Sequence, residues 1–158
     1  MKIFIDSANL EEIKEVASYG LLDGVTTNPS LIKKEVARVK KQNKKTSLEL
    51  HIKKILRAAK NRPVSLEVIG LNFQAMVQEG ETLYKKFRKY GNIYIKIPVN
   101  PCLEEKCDFE ADGIKAIKYL SKKKILVNCT LIFTPEQAFL AAKAGAKIVS
   151  PFAGREDD

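Results

Sequence analysis

Short apolar stretches alternate along the chain with longer stretches in which apolar residues follow a helical spacing. Continuous runs of β-branched and aromatic residues predict buried strands, and apolar residues three and four positions apart predict amphipathic helices. The predicted strands are residues 2–6, 21–26, 63–69, 92–99, 125–130 and 147–152. The predicted helices are residues 9–20, 29–60 with a break around 43–46, 72–90, 111–121 and 134–145.

Two helix starts carry capping residues. Asn9, with Glu12 three residues later, is typical of a helix N-terminus. Thr134, Pro135 and Gln137 predict a capping box with proline at the first helical position. These signals place helix starts directly after predicted strands.

The alternation of strands and helices with short connections predicts one α/β domain, residues 1–158, built on a parallel sheet. The pattern alone allows a doubly wound sheet or a β/α barrel. No glycine-rich turn follows the first strand, as a dinucleotide-binding sheet would require. Polar residues lie in or at the C-terminal ends of successive strands, where a barrel builds its active site. We therefore predict a parallel β/α barrel, with candidate site residues Asp6, Asn28, Glu67, Lys96, Asn128, Thr130 and Ser150.

Lys96 lies in the middle of the fourth predicted strand, between Ile95 and Ile97. Burial there would disfavour the charged ammonium. A neutral amine is a nucleophile toward carbonyl carbon, which is the chemistry of a Schiff-base lysine. The alternative is a lysine that extends to solvent from a strand end or protects a sheet edge.

Two carboxylates on other strands accompany this amine. Two acids in different environments can take different protonation roles. Asp6 could instead be a helix N-cap. Glu67 lies among apolar residues of a strand, where an unpaired carboxylate costs several kcal/mol. Phe152 would by default be an ordinary core residue.

The net charge of +9 raises the possibility of nucleic-acid binding. The densest basic segment is residues 33–45, in which seven lysines and arginines accompany the single acid Glu35. It has no interleaved aromatic residues, and no zinc-finger or RNA-recognition motif occurs in the chain. We therefore expect a solvated, lysine-rich helix surface and no nucleic-acid partner.

The cysteines and the lone histidine limit other chemistries. Cys102, Cys107 and Cys129 form an odd set that suits a reducing compartment. Four residues separate the first two, but without a nearby histidine they give only weak support to a zinc site. A mechanism that needs histidine must use His51. The sequence shows no membrane-spanning apolar run and no leader, so we expect a cytoplasmic protein without a membrane partner.

Four motifs in order resemble the small transaldolases and the related fructose 6-phosphate aldolases. They cover nearly the whole chain: residues 4–9 (FIDSAN), 24–30 (GVTTNPS), 96–98 (KIP) and 150–155 (SPFAGR). The resemblance implies a (β/α)8 barrel, a class I aldol mechanism without metal or other cofactor, and sugar phosphate substrates.

The resemblance also implies a role for each candidate residue. Lys96 would form the Schiff base, and Asp6 would take the proton from the C4 hydroxyl of the ketose. Glu67 would act as acid and base through a water molecule. Arg155 would bind phosphate, for which a planar guanidinium is suited. Further polar groups would hold the water and the bound three-carbon unit: Asn28, Asn128, Thr130 and Ser150.

Three positions distinguish the two activities of the family. Transaldolases tend to carry Glu, Ser and Phe where the aldolases carry Gln, Ala and Tyr, and this chain has Glu67, Ser150 and Phe152. We therefore expect a transaldolase of the pentose phosphate pathway, acting on fructose 6-phosphate or sedoheptulose 7-phosphate. The alternatives are an aldolase that releases free dihydroxyacetone and a non-catalytic truncated barrel that acts as a basic binding module.

The chain departs from the family in two places. The segment Pro101–Phe109 is longer than expected after the fourth strand, and Asn100 replaces a usual threonine. The sequence also stops at Asp158, after six of the eight β/α units that the resemblance implies. Uncovered strand edges recruit other chains, so we expect either a homo-oligomer joined through those edges or a markedly unstable chain.

Overall fold

The computed structural model describes residues 2–101 and 111–152, which form six strands and six helices. The strands are β1 (Phe4–Asp6), β2 (Gly24–Thr26), β3 (Val64–Glu67), β4 (Ile93–Pro98), β5 (Val127–Ile132) and β6 (Ile148–Pro151). The helices are α1 (Leu10–Ser18), α2 (Pro29–Lys41), α3 (Leu48–Ala58), α4 (Phe73–Phe87), α5 (Asp112–Lys122) and α6 (Pro135–Ala144).

The strands are hydrogen-bonded in the order in which they occur in the sequence. Every recorded pairing between them is parallel. Sequence-adjacent parallel strands joined through helices are the arrangement of β/α barrels. The predicted fold class, a parallel β/α fold of the TIM-barrel type with six of eight units in the chain, is confirmed. Among the described residues, no helix combines the length and apolar character needed to cross a membrane.

The contacts divide the chain into two compact units. Unit 1 comprises Met1–Glu67 and Lys86–Ile93, and unit 2 comprises Val68–Lys85 and Tyr94–Asp158. The prediction of a single domain over residues 1–158 remains a prediction. Each unit is described by itself.

In unit 1, β2 lies between β1 and β3 and is parallel to both. The register pairs Asp6 with Thr26, and Thr26 with Ser65. Helix α3 packs against both α1 and α2. The burial of apolar side chains stabilises this unit, and the fully buried ones include Ile13, Val25, Ile55 and Val64.

In unit 2, β5 lies between β4 and β6. Asp112, at the start of α5, accepts a 2.9 Å hydrogen bond from the backbone N–H of Phe73, the first residue of α4. The ammonium of Lys115, 2.9 Å away, and this N–H both lower the pKa of the Asp112 carboxyl. The unit buries Ile95, Ile97, Ile117, Leu120 and Val127 completely.

The predicted helix caps are confirmed. Asn9 is the N-cap of α1, and Thr134 and Gln137 form the predicted capping box of α6, with Pro135 as its first residue. Helix α6 ends at Gly145, whose φ of 115° is in the left-handed region that glycine adopts without strain. The alternative role of Asp6 as a helix N-cap was wrong, because the chain is still extended at Asp6 and Asn9 caps the helix.

The predicted strand ends were less accurate. The first three strands are shorter than predicted, whereas β5 continues to Ile132, two residues beyond its predicted end at Thr130. The register between β5 and β6 shifts between Cys129 and Ile132, and Leu131 has a left-handed φ of 54°. A single left-handed residue produces a β-bulge here. The apolar pattern gives no sign of it, because Leu131 fits an ordinary strand.

Candidate active site

Lys96 is the one buried lysine among the described residues, with 8% of its surface exposed. It lies in β4, and its backbone oxygen accepts a hydrogen bond of 3.2 Å from the N–H of Val68. Because successive side chains of a strand point to opposite faces, Lys96 lies on the other face of β4 from Ile95 and Ile97. The two isoleucines are completely buried. The burial of Ile95 and Ile97 on one face of β4 therefore fixes the position of the Lys96 backbone, with its side chain on the other face.

Polar side chains of β5 and β6 lie on the same face of unit 2 as Lys96. Asn128 is the register partner of Lys96 and is completely buried. The hydroxyl of Ser150 donates a 2.9 Å hydrogen bond to Oδ1 of Asn128. Thr130, two residues beyond Asn128 and 2% exposed, lies on the same face of β5. The structure thus brings together four of the predicted site residues in unit 2.

Phe152 follows β6 directly. Its backbone N–H donates a 2.9 Å hydrogen bond to the oxygen of Ile132, at the end of the β5 bulge. Its ring packs at a tilt of 55° on Phe133, with the ring centroids 6.0 Å apart. The side chain is half-buried, so it is not an ordinary core residue.

Asp6 is the last residue of β1 in unit 1, and its side chain is exposed. The hydroxyl of Thr26, its register partner, donates a 2.7 Å hydrogen bond to Oδ1 of Asp6. This bond restricts the rotation of the carboxylate. Sequence reasoning missed Thr26, although a threonine two residues before Asn28 at a strand end is a signal that could have identified it.

Asn28 is the N-cap of α2, with its Oδ1 accepting a 2.8 Å hydrogen bond from the N–H of Leu31. The residue before it, Thr27, is completely buried, and its hydroxyl donates a 2.7 Å hydrogen bond to the backbone oxygen of Ser65. Asn28 therefore has a structural role that sequence reasoning did not assign. The capping bond uses the amide oxygen.

Glu67 is the last residue of β3 and is half-buried. Ser65, two residues earlier, is on the same face of the strand and is the register partner of Thr26. Asp6, Thr26, Ser65 and Glu67 consequently lie on one face of the unit 1 strands. All four carry a hydroxyl or carboxylate group, and three of them, Asp6, Thr26 and Glu67, are the last residues of their strands. The C-terminal strand ends are where β/α-barrel enzymes have their active sites.

The arginine, the loop and the cysteines considered in the sequence are either outside the described residues or buried as an unreactive thiol. Arg155, the loop Pro101–Phe109 after its first residue, Cys102 and Cys107 lie outside the described residues. Burial raises the pKa of the Cys129 thiol to about 12. Within the described ranges, no group of three or more His, Cys, Asp or Glu side chains is arranged to hold a metal ion.

Parallel strands in sequence order, with polar side chains on one face and at the C-terminal strand ends, define a protein of the β/α-barrel class. The family model described as transaldolase/fructose-6-phosphate aldolase matches residues 3–158. The chain belongs to this family, and the resemblance seen in its four motifs is confirmed.

Individual relatives support the same assignment. The chain is 50% identical over 159 aligned positions to a protein of Nitrosopumilus maritimus named a probable transaldolase, covering 100% of the chain and 61% of the relative. It is 50% identical to one of Phocaeicola vulgatus and 49% identical to one of Syntrophomonas wolfei, both with the same name, covering 64% and 63% of them. The chain thus spans less than two thirds of the length of these relatives.

Proposed function

We propose that the chain carries the Schiff-base site of a transaldolase, which moves a dihydroxyacetone unit from a ketose phosphate to an aldose phosphate. The observation that carries the proposal is the burial of Lys96 on the same face as Asn128, Thr130 and Ser150. A lysine held in a buried site beside polar side chains is the residue type that forms a Schiff base with a carbonyl substrate. Membership of the family supports the same chemistry.

The first step forms a covalent bond between enzyme and donor. The Nζ of Lys96 attacks the C2 carbonyl carbon of the ketose phosphate, which gives a carbinolamine. Loss of water from the carbinolamine gives an iminium ion. We propose Glu67 as the residue that supplies and removes the protons in this step through a water molecule. Asn128 and Ser150 are proposed to hold that water and the hydroxyls of the bound unit.

The second step breaks the bond between C3 and C4. Asp6 is proposed to take the proton from the C4 hydroxyl, so that the electron pair of the broken bond enters the iminium system and forms an enamine. The aldose phosphate leaves as an aldehyde. The enamine then adds to the aldehyde of the acceptor, and the same steps in reverse release the new ketose phosphate. The hydrogen bond from Thr26 supports this role by restricting the rotation of Asp6.

The substrates are proposed from the family and from the chain's own residues. Fructose 6-phosphate or sedoheptulose 7-phosphate would serve as donor in the pentose phosphate pathway, and Arg155 would bind the phosphate. Asn28 and Phe152 are proposed to contact the substrate as well. The odd cysteine count suits a reducing compartment, so we propose a cytoplasmic location.

Transfer, rather than release of free dihydroxyacetone, is favoured by three side chains at the discriminating positions: Glu67, Ser150 and Phe152. An apolar ring at Phe152 offers no hydroxyl to hold a proton donor near the enamine. The intermediate would therefore wait for an aldehyde acceptor. A fructose 6-phosphate aldolase activity is the alternative.

Reductive trapping tests the proposal. Borohydride added with fructose 6-phosphate should attach a reduced three-carbon unit to the peptide that contains Lys96, detected by mass spectrometry. Lys96→Met should abolish the label. Lys118→Met is the matched control, because Lys118 is an exposed lysine of the same unit and its loss should leave the label unchanged. A label that persists at full yield in Lys96→Met would assign the chemistry to another lysine.

A further inference from the structure

A cavity of about 660 Å³ lies in unit 1 among the side chains of α1, α2 and α3 and the segment that joins α2 to α3. All its lining residues belong to unit 1. Cations dominate the lining: Lys14, Arg38, Lys44, Lys54 and Arg57. The cavity's volume is within the range of small-molecule sites, about 300 to 1,000 Å³.

The positive charge of this cavity is only partly balanced. Glu11 is the one carboxylate of the lining, and its Oε1 is 3.1 Å from the Nζ of Lys14. Arg38 forms an ion pair with Glu35 at 2.8 Å. For Lys44, Lys54 and Arg57 the described residues provide no ion-pair partner.

His51 supplies a second, independent observation at the same cavity. It lines the cavity and is 1% exposed. Its Nε2 is 2.8 Å from the backbone oxygen of Ala8, which can only accept, so Nε2 carries the proton and donates. Nδ1 is then a hydrogen-bond acceptor, and it is buried without a partner among the residues that the structure describes. A buried acceptor without a partner costs free energy.

We propose that this cavity binds a small organic polyanion that carries two phosphate groups. The three cations without an ion-pair partner carry more positive charge than one phosphate group can balance. Two phosphate groups carry enough negative charge to balance them. Arg57 suits phosphate in particular, because the guanidinium can donate two parallel hydrogen bonds. This site is separate from the residues proposed for the Schiff-base chemistry and does not depend on that proposal.

A small ligand fits these observations better than nucleic acid. A polynucleotide would use the exposed lysines spread along α2, and Lys33 and Lys34 do not line the cavity. A cluster of cations around one half-open cavity instead suits a compact ligand. Lys33 and Lys34, which lie outside the cavity, therefore serve as the control positions in the experiment.

The test is calorimetric titration of the 158-residue chain with xylitol 1,5-bisphosphate, which has no carbonyl and so cannot form a Schiff base. Lys54→Gln with Arg57→Gln should weaken binding about 100-fold, because each substitution removes a charge-assisted contact that is worth roughly tenfold. Lys33→Gln with Lys34→Gln makes the same charge change outside the cavity and should weaken binding less than about threefold. Lys96→Met should bind as the parent chain does.

Acetylation of the parent chain provides a second measurement that needs no variant. Bound xylitol 1,5-bisphosphate should protect Lys54 from acetic anhydride and leave Lys34 reactive. Equal weakening by both double substitutions, or equal protection of both lysines, would reduce the effect to general charge attraction and overturn the proposal. So would a single-stranded RNA oligonucleotide that binds more tightly than the bisphosphate and depends on Lys33 and Lys34.

Discussion

The Oγ of Ser150 in β6 and the Oδ1 of Asn128 in β5 are joined by a hydrogen bond of 2.9 Å. The acceptor residue is completely buried and is the register partner of Lys96. The bond restricts the rotation of the Asn128 amide, because the hydroxyl of Ser150 donates to its oxygen. Ser150 therefore orients a polar group next to the strand of the proposed nucleophile.

Ser150→Ala should destabilise the chain and slow transfer. The substitution leaves Oδ1 of Asn128 with one hydrogen bond fewer in a buried site, which costs about 1 to 3 kcal/mol. Urea denaturation measures the loss in free energy of unfolding. Ser30→Ala is the matched control, since Ser30 is exposed on α2 and should change that free energy by less than about 0.5 kcal/mol. Equal stability of the two variants would contradict the orienting role.

Phe152→Tyr should increase the release of free dihydroxyacetone from fructose 6-phosphate. The added hydroxyl could hold a proton donor near the enamine, and a positioned acid contributes about 10² to 10⁴ in rate. A coupled assay for dihydroxyacetone gives the measurement. Phe133→Tyr is the control, because its ring packs on Phe152 but is itself 44% exposed. An unchanged release rate in a Phe152→Tyr chain that still transfers would refute the assignment of this position.

Gly113→Ala should destabilise unit 2. A methyl group at Gly113 would overlap the backbone oxygens of Pro98 and Val99 at the end of β4, and backbone atoms cannot move aside cheaply. Overpacking of this kind costs about 1 to 3 kcal/mol. Gly80→Ala is the control, since its methyl would meet only side-chain carbons of Ile95 and Leu120, at 3.1 to 3.6 Å. Thermal unfolding should show a much larger loss for Gly113→Ala, and similar losses would contradict the close approach of α5 to β4.

The order of elements and the capped helix starts could be predicted because they depend on local signals. Apolar patterns predicted the six strands and the helices between them, and Thr134 with Gln137 predicted the start of α6. The position of polar residues at strand ends also predicted the site residues of unit 2, but the pairing of Lys96 with Asn128 depends on the register of β4 and β5. The local signals need no knowledge of tertiary packing.

Other features depend on contacts between segments distant in sequence. The bond between Thr26 and Asp6 joins residues 20 positions apart and requires the exact register of β1 and β2. Leu131 is an ordinary strand residue by type, so the sequence pattern does not reveal the bulge there. The predicted end of β5 at Thr130 was consequently two residues too early. An asparagine such as Asn28 can serve either as a site residue or as a helix N-cap. Only its hydrogen bond from the N–H of Leu31 shows that it caps α2.

The thiol of Cys129 should resist alkylation in the folded chain. Burial raises the pKa of this thiol from 9.0 to about 12, so at pH 8 only about one molecule in 10⁴ carries the reactive thiolate. Iodoacetamide labelling followed by mass spectrometry of the Cys129 peptide measures the rate. Labelling should become faster as the pH rises toward 12 or when urea unfolds the chain. Rapid labelling of the native chain at pH 8 would show that Cys129 is not held in an apolar site.

The 158-residue chain should self-associate in solution. Among the described strands, β6 is bonded only to β5, and the apolar side chains near this edge are exposed. Phe139 and Leu140 of α6 are 68% and 51% exposed, and Val149 of β6 is 36% exposed. An apolar strand edge and an apolar helix surface both favour association with other chains. Sedimentation velocity should therefore show species larger than a monomer of 17.7 kDa.

Substitutions at this edge distinguish specific association from general stickiness. Val149→Lys places a charge on the edge strand, and Phe139→Gln with Leu140→Gln removes apolar surface from α6. Each should shift the distribution toward monomer, because a charge on an edge opposes strand pairing and burial of apolar area drives association. Leu71→Gln is the control, as Leu71 is 54% exposed in a loop of the same unit and should leave the distribution unchanged. A parent chain that sediments as a stable monomer at all concentrations would show that these surfaces do not recruit a second copy.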